Sequence, residues 1–454
     1  MAVPLILSTG AWSIQEFVDR VFLAWYSPQA IAAAMPAGIL SFAITGFFIG
    51  TASYAGTFVA QYFGAGRLHR IGPAVWQGVY VAILGGIFLA LLIPLAEPFF
   101  NLVGHQPDVR REEVIYFRVL CLGGAPIVAA SALAGFFSGR GRPWPIMWIH
   151  VLGTCVNMLL NYLLIFGKAG FPAMGIAGAG WATVISALSI FLMFLFLFLA
   201  PHHQKDFKTR SGWRPEPLIF RRLMRFGLPI GVQFFLDMIS FTIFILLVGR
   251  LGTIPLAATN IAFNINTLAF LPMIGAGIAV SILVGQHLGG DRPDLAERST
   301  GSGFRLTLIY MLTISLAYVV VPKLFLAPFA VGASPEEFAV IFPLAVVLLR
   351  FVALFGLFDT MNIIYSAAIK GAGDTRFVML IMILFSMGGL AIPTYIAVVI
   401  LNLSLIVCWV IVTVHIAVLG LIFLLRYRGG KWKKMRVIEP PLPESFIRAN
   451  SDPS

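Results

Sequence analysis

Charge is scarce in this chain. Of its 454 residues only 11% are Asp, Glu, Lys or Arg, against 59% hydrophobic residues. A soluble domain carries roughly 25% charged residues, so an ordinary water-soluble fold is excluded and the chain belongs in lipid. Cysteine is also scarce. Cys121, Cys155 and Cys408 lie far apart, each inside an apolar stretch, which suggests neither a disulfide framework nor a zinc site. The ten-residue alternation of polar and apolar residues that marks an outer-membrane barrel is missing, and continuous runs such as FLMFLFLFLA and LIMILFSMGGLAIPTYIAVVIL stand in its place. No Walker sequence occurs to build a nucleotide-driven motor. Neither clustered metal ligands nor a nucleophile with its base suggests an enzyme.

A hydrocarbon core of roughly 30 Å is crossed by about 20 apolar residues in a helix. Hydropathy between polar breaks predicts twelve such spans, starting near residues 3, 31, 72, 113, 144, 174, 222, 256, 303, 338, 376 and 402. The expected fold class is therefore an all-α polytopic membrane protein. Glu16 and Asp19 lie inside the first span and no basic segment precedes it, which argues against a cleaved signal peptide.

Loop charge sets the orientation. The breaks after the even spans carry Arg67 and Arg70, Arg140 and Arg142, Lys205 through Arg225, Arg292 and Arg298, and Lys370 and Arg376. The tail adds Arg426, Arg428, Lys431, Lys433, Lys434, Arg436 and Arg448, whereas the loop after span one carries no basic residue and those after spans five and seven carry one each, Lys168 and Arg250. By the positive-inside rule both termini and the even loops are expected in the cytoplasm, with a bacterial inner membrane as the setting. The net charge of +12 is thus a topology signal, no nucleic-acid partner is expected, and the tail is placed to meet anionic lipid.

The chain also repeats itself. At an offset of 225 residues, Gln61, Gly64 and Arg67 in QYFGAGR fall on Gln286, Gly289 and Arg292 in QHLGGDR; Gly50 falls on Gly275 and Pro4 on Pro229. After an offset change of seven, SGRGRP at 138–143 resembles KGAGDT at 370–375. Each repeat holds six spans, an even number, so both enter the membrane from the same side. The expectation is two parallel six-helix lobes related by a pseudo-two-fold axis along the membrane normal, which is transporter architecture. The boundaries read as lobes over 1–200 and 220–428, a cytoplasmic linker over 201–219, and a basic tail over 429–454. Two lobes need no further subunit to form a pathway, so a monomer is expected.

Four acidic residues fall well inside spans: Glu16, Asp19, Asp237 and Asp359. A carboxylate there costs roughly 2.5 to 3.5 kcal/mol on insertion scales, and structure alone seldom justifies that. They sit in stripes at helical spacing, Gln15, Glu16 and Asp19; Gln233, Asp237 and Ser240; and Asp359, Asn362 and Ser366; Asn260, Asn264 and Thr267 form a further stripe without an acid. Asn157 and Asn161 lie one turn apart. Such stripes must face the bundle interior or a wet cavity. The amides and hydroxyls also suit interhelical glue; the carboxylates point to exchange of a proton, sodium or an organic cation. Gln233, Asn260, Asn264 and Asn362 are the expected lining of a substrate cavity. Glu16 is one turn from Arg20 and fits an ion pair equally well, and Arg350 fits either an interface anchor or a counter-charge.

FVDR in span one, GTASYAGTFVAQYFGAGR, GRGRP, NMLLNYLLIFG followed by GIAGAGWATVIS, and AIKGAGDTR together resemble the multidrug and toxic compound extrusion family, over essentially the whole chain and in family order. The resemblance implies an antiporter that exports cationic amphipathic drugs against inward sodium or protons, with no other cofactor. It implies an amino-terminal cation site at Asp19, Asn157, Asn161 and Thr183. Asn161 stands where one branch of the family has Asp, so the chain looks NorM-like; in that branch Asp237 and Asp359 match the acidic pair of the second lobe, with Asp in place of the usual Glu at 237. A lipid-linked saccharide flippase of the wider superfamily is the alternative, and it should line its cavity with cations.

Overall fold

A computed structural model describes residues 2–330 and 335–440. Among these residues the chain is helical, with no strand. Eleven helices are long and apolar enough to cross a membrane: α2 (Pro28–Gly64), α3 (Leu68–Val103), α4 (Pro107–Gly139), α5 (Trp144–Phe166), α6 (Ile176–Phe198), α7 (Pro217–Gly249), α8 (Thr253–Gly289), α9 (Pro293–Val320), α10 (Phe338–Ala372), α11 (Thr375–Ile400) and α12 (Leu405–Arg428). They are preceded by α1 (Ala2–Tyr26), which has the length of a span at 25 residues. Gln15, Glu16, Asp19 and Arg20 dilute its hydropathy, so its polarity sets it apart from the other eleven.

Continuous apolar sequence makes these helices, and proline shapes them. Pro28, Pro107, Pro217 and Pro293 start helices, where a missing N–H costs nothing. Pro36, Pro126, Pro229, Pro272 and Pro343 lie inside helices, where each removes a backbone hydrogen bond.

The helices form two lobes. In the first, α4 packs against α2, α3 and α6, and α5 against α1 and α6; in the second, α10 packs against α8, α9 and α12. The lobes meet through α2 against α7, α1 against α8, and α2 against α8. These contacts obey the repeat. A Cβ on Gly50 of α2 would sit 3.0 Å from the Cα of Gly231 on α7, and one on Gly275 of α8 would sit 3.1 Å from the backbone nitrogen of Ile6 on α1. Both partners are also 225 residues apart, so the two crossings are one crossing used twice.

The tightest approach lies at the end of the bundle that carries the basic loops, termed the basic end below. There the last turns of α2 and α8 cross backbone to backbone. A Cβ on Gly64 would overlap the carbonyl of Gln286, and one on Gly289 would overlap the carbonyl of Gln61. Only glycine permits that distance.

The segment between α6 and α7 is not extended. It forms a short helix, Pro201–Phe207, whose Phe207 and His203 are buried against Phe136. Burial, with Arg140 and His202 nearby, pushes the His203 imidazole down to about 4, so this helix docks with a neutral ring.

The crossing gives a direct stability test. Overpacking costs about 1 to 3 kcal/mol, so Gly64→Ala and Gly289→Ala should each lower the Tm of the purified chain by several degrees. Gly10→Ala, at a helical position with nothing within 4 Å of the new methyl, should leave it unchanged. Equal melting of all three variants would show that the crossing is not tight.

Candidate functional site

Each lobe holds one acidic cluster within its membrane-depth helices. In the first lobe Asn161 of α5 donates from Nδ2 both to Asp19 Oδ1 on α1 and to Asn157 Oδ1, the latter at 2.8 Å. Both asparagines are fully buried. Their i, i+4 spacing stacks the two amides on one face of α5, and that face meets the stripe of α1. Asp19, Asn157 and Asn161 therefore form one connected unit. Within it Asn157 Nδ2 and Asn161 Oδ1 are buried without a hydrogen-bond partner, so beside the second Asp19 oxygen the unit has one buried donor and one buried acceptor to offer. Thr183 stands apart in bonding, because its hydroxyl donates to the Ala179 carbonyl of its own helix at 3.1 Å.

The remaining charges of α1 pair with each other. Arg20 approaches Glu16 at 3.3 Å, both half-exposed, which is the ion pair their one-turn spacing allows. Tyr116 of α4 is buried within the electrostatic reach of Asp19, Glu16 and Arg20. Nothing in the sequence marks it, since a single Tyr in an apolar helix has no pattern.

In the second lobe Asp359 of α10 is 6% exposed and accepts a hydrogen bond from Asn362 Nδ2 at 2.9 Å. Asp237 of α7 has the Gln233 side chain beside it, one turn earlier, and feels both Asp359 and Lys370. The Gln233 Oε1 is buried without a partner. Lys370 is a residue that sequence reasoning misplaced. Its position in a basic loop motif reads as a topology charge, yet it lies in the last turn of α10, within reach of Asp237. Tyr54 of the opposite lobe fixes that turn by donating to the Lys370 carbonyl at 2.7 Å. Phe355, one turn before Asp359, is buried and stacks on Trp409 of α12.

The stripe on α8 is different in kind. Asn260, Asn264 and Thr267 are exposed, and the Asn264 and Thr267 side chains donate to carbonyls one turn back, Asn260 O and Phe263 O. Asn362 is half-buried, bound to Asp359 rather than standing free. Arg350 is exposed on α10.

At the basic end the repeat motifs join the lobes reciprocally. Gln61 Nε2 donates to the Gly371 carbonyl at 3.0 Å, and Gln286 Nε2 donates to the Gly139 carbonyl at 2.8 Å. Gly139 and Gly371 are the matching glycines of SGRGRP and KGAGDT, so each lobe's glutamine holds the other lobe's loop. The tail adds a strap. Trp432 is buried and stacked on Tyr427, which turns the chain back across the opening between lobes. Val437 N–H then donates to Gln61 Oε1 at 2.8 Å, and Arg222 donates to the Val437 carbonyl at 2.8 Å. Glu439 accepts from the Tyr62 hydroxyl at 2.7 Å and from Arg70 at 3.2 Å, while Arg67 donates to its carbonyl at 2.8 Å. Burial alone would push the Glu439 carboxyl up; the Tyr62 hydroxyl, backbone hydrogen bonding and the Arg70 guanidinium more than offset it and hold it below the usual carboxylate range. Over residues 431–440 the tail thus docks on the protein, where its charge alone suggested lipid. Residues 441–454, Arg448 among them, lie outside the described residues.

Comparison with known proteins agrees with this arrangement. The MatE family model matches residues 4–163 and 229–397; the two segments begin 225 residues apart (229 minus 4), the offset of the repeat. The multidrug resistance protein PmpM of Pseudomonas aeruginosa is 30% identical over 395 residues, covering 87% of this chain and 81% of that protein. A probable multidrug resistance protein NorM of Pseudomonas putida is 32% identical over 385 residues, covering 84% and 82%. Among solved structures, an outward-facing multidrug resistance MATE family transporter of the MOP superfamily superimposes with a TM-score of 0.86 over 96% of both chains at 18% identity. A MOP superfamily transporter from Pyrococcus furiosus does so at 0.84 with 20% identity. The structures carry the fold; the family model and the two relatives, each covered over four-fifths of its length, carry the kinship, and on that ground the chain belongs to the MatE family.

Proposed function

We propose that this protein is a secondary antiporter that exports small cationic amphipathic compounds in exchange for inward sodium or protons, by alternating access. The observation that carries the reading is the pair of acidic clusters, one per lobe, held at membrane depth by amide partners. The relatives named as multidrug resistance proteins support the substrate class, and they leave the flippase alternative unfavoured.

The chemistry follows from desolvation. A carboxylate taken out of water is costly while charged and bare, and a proton, a sodium ion or an organic cation each relieves that cost. Asp19, Asn157 and Asn161 offer oxygen donors suited to a hard cation, with the unpartnered Asn161 Oδ1 as a further one. Thr183 donates its hydroxyl proton to the Ala179 carbonyl, which leaves its oxygen lone pairs available to a cation. Asp237 and Asp359 form the second cluster, with Gln233 and Asn362 as its polar neighbours. Asn260 and Asn264 extend a polar surface along α8 for the exported compound. Competition then gives coupling: if ion and drug stabilise oppositely open states, occupancy by one disfavours the other.

The basic end is assigned to the cytoplasm by the positive-inside rule. With the glycine crossing, the glutamine exchange and the tail strap all formed there, the described state is closed towards the cytoplasm. The lobes span 1–200 and 220–428, the pathway is complete in one chain, and the lipid bilayer is its only constant partner.

Efflux of a fluorescent organic cation from proteoliposomes, with sodium and proton gradients imposed separately, tests the reading. One gradient should drive efflux. Asp359→Asn and Asp19→Asn should each cut it at least tenfold while insertion persists, and Glu16→Gln should change it less than about twofold. Wild-type efflux by Asp359→Asn would sink the proposal.

The strap has its own test. A hydrogen bond to a charged group contributes about 1.5 to 3 kcal/mol, so Glu439→Gln should shift the closed-to-open ratio at the basic end by roughly tenfold or more. Cross-linking between cysteines introduced at Ala65 and Gly290, in a background lacking Cys121, Cys155 and Cys408, reads that ratio. The sign with pH follows from a depressed carboxyl: the stabilisation is complete above the ordinary glutamate range and is lost as pH falls below it. A cross-linking rate that Glu439→Gln leaves unchanged would mean that the strap bears no load.

A further inference from the structure

Beside the glycine crossing, at the basic end, lies a cavity of about 1350 Å³ bounded by both lobes and the tail. Its walls carry Arg67 from the loop after α2, Arg221, Arg222 and Arg225 from the first turns of α7, and Arg376 from the first turn of α11; the tail adds Lys434 and Arg436. Two carboxylates share the space, Asp291 and Glu439, and both are already engaged. Asp291 pairs with Arg436 at 2.9 Å, and Glu439 with Arg70 at 3.2 Å.

The cations that remain are uncompensated. Arg67 and Arg222 donate to the carbonyls of Glu439 and Val437, which carry no charge. Arg225 has only the Phe226 ring, at 5.6 Å. Among the described residues Arg221, Arg376 and Lys434 have neither an ion pair nor a hydrogen bond. Positive-inside bias accounts for basic loops on one side of a bilayer, but it gives no reason for them to line one concavity between lobes. Like charges in a cleft repel one another, and a cleft of one sign concentrates counter-ions. Guanidinium groups match phosphate oxygens in a two-pronged geometry.

We propose that this cavity is a binding site for a phosphate-bearing anion, whose occupancy ties the lobes together at the basic end. Arg67 reaches it from the first lobe, and Arg225, Arg376 and Lys434 from the second and its tail. The ligand therefore favours the state in which those walls are close. The shared chemistry is the phosphate group, supplied either by an anionic lipid headgroup or by a soluble phosphorylated compound. Binding is read without transport, so the proposal stands or falls separately from the antiporter reading.

Inorganic pyrophosphate serves as the probe, titrated into the full chain in phosphatidylcholine nanodiscs. Saturable binding that weakens steeply with salt is expected. The Arg225→Gln, Arg376→Gln double variant should weaken it at least tenfold, and Lys434→Gln alone about threefold. Pyrophosphate should also speed the cross-linking between cysteines at Ala65 and Gly290. If a lipid headgroup is the occupant, phosphatidylglycerol in the nanodisc lowers the apparent affinity for pyrophosphate at least tenfold. If a soluble compound is, phosphatidylglycerol leaves it unchanged. Binding no tighter than that of chloride at equal ionic strength, or equal in the wild type and in Lys434→Gln and the double variant, overturns the proposal.

Discussion

The crossing of α2 and α8 at Gly64 and Gly289 is the constraint on which the closed basic end depends. Two helices ordinarily keep 8 to 10 Å between axes because side chains fill the gap. Here each glycine faces the backbone of the other lobe's glutamine, so the helices meet with nothing between them. That proximity puts the Gln61 amide within reach of Gly371, and the Gln286 amide within reach of Gly139. Small residues serve helix association in lipid for the same reason, since lipid tails give no hydrophobic drive and close packing must supply the contact.

Distance separates this closure from the acidic clusters. Asp359 lies 13 residues before Ala372, the end of α10, or about 20 Å along the helix. Lys370 lies between the two. Its carbonyl is held by Tyr54 of the first lobe, while its ammonium is felt by Asp237 of the second. A single turn of α10 thus makes the interlobe contact and lies within the electrostatic reach of Asp237. A change of charge at Asp237 and a change of packing at Tyr54 would both bear on that turn.

Much of this was legible in the sequence because lipid makes sequence rules strict. A span must be helical and nearly continuous in apolar residues, so the helix count followed from hydropathy, and α1 differs from the rest because its polar stripe dilutes that signal. Interior polar residues must find partners, so Asp19 with Asn157 and Asn161, and Asp359 with Asn362, were readable as stripes before their partners were visible. What pairing within one helix can satisfy was also readable, as with Glu16 and Arg20. The residues that escaped are those whose role depends on another element. Tyr116 has no periodic companion, and Lys370 was masked by its basic motif. The stripe on α8 followed the same spacing as the others and yet is exposed, because spacing fixes a face of a helix but not what that face meets.

The tail illustrates the same limit at larger scale. Its lysines and arginines state which side of the membrane they favour, and by charge alone they suit a lipid surface. Yet the docking of residues 431–440 is directed by the uncharged Trp432 and Val437 and by the single acid Glu439, each of which finds a buried or hydrogen-bonded place on the bundle. Those few groups, with the Lys433–Glu297 and Arg436–Asp291 ion pairs, fix where the chain runs, and Lys434 is carried along to line the cavity at the basic end. Charge points to a side of the membrane, whereas packing and a few specific pairs set the position on the protein.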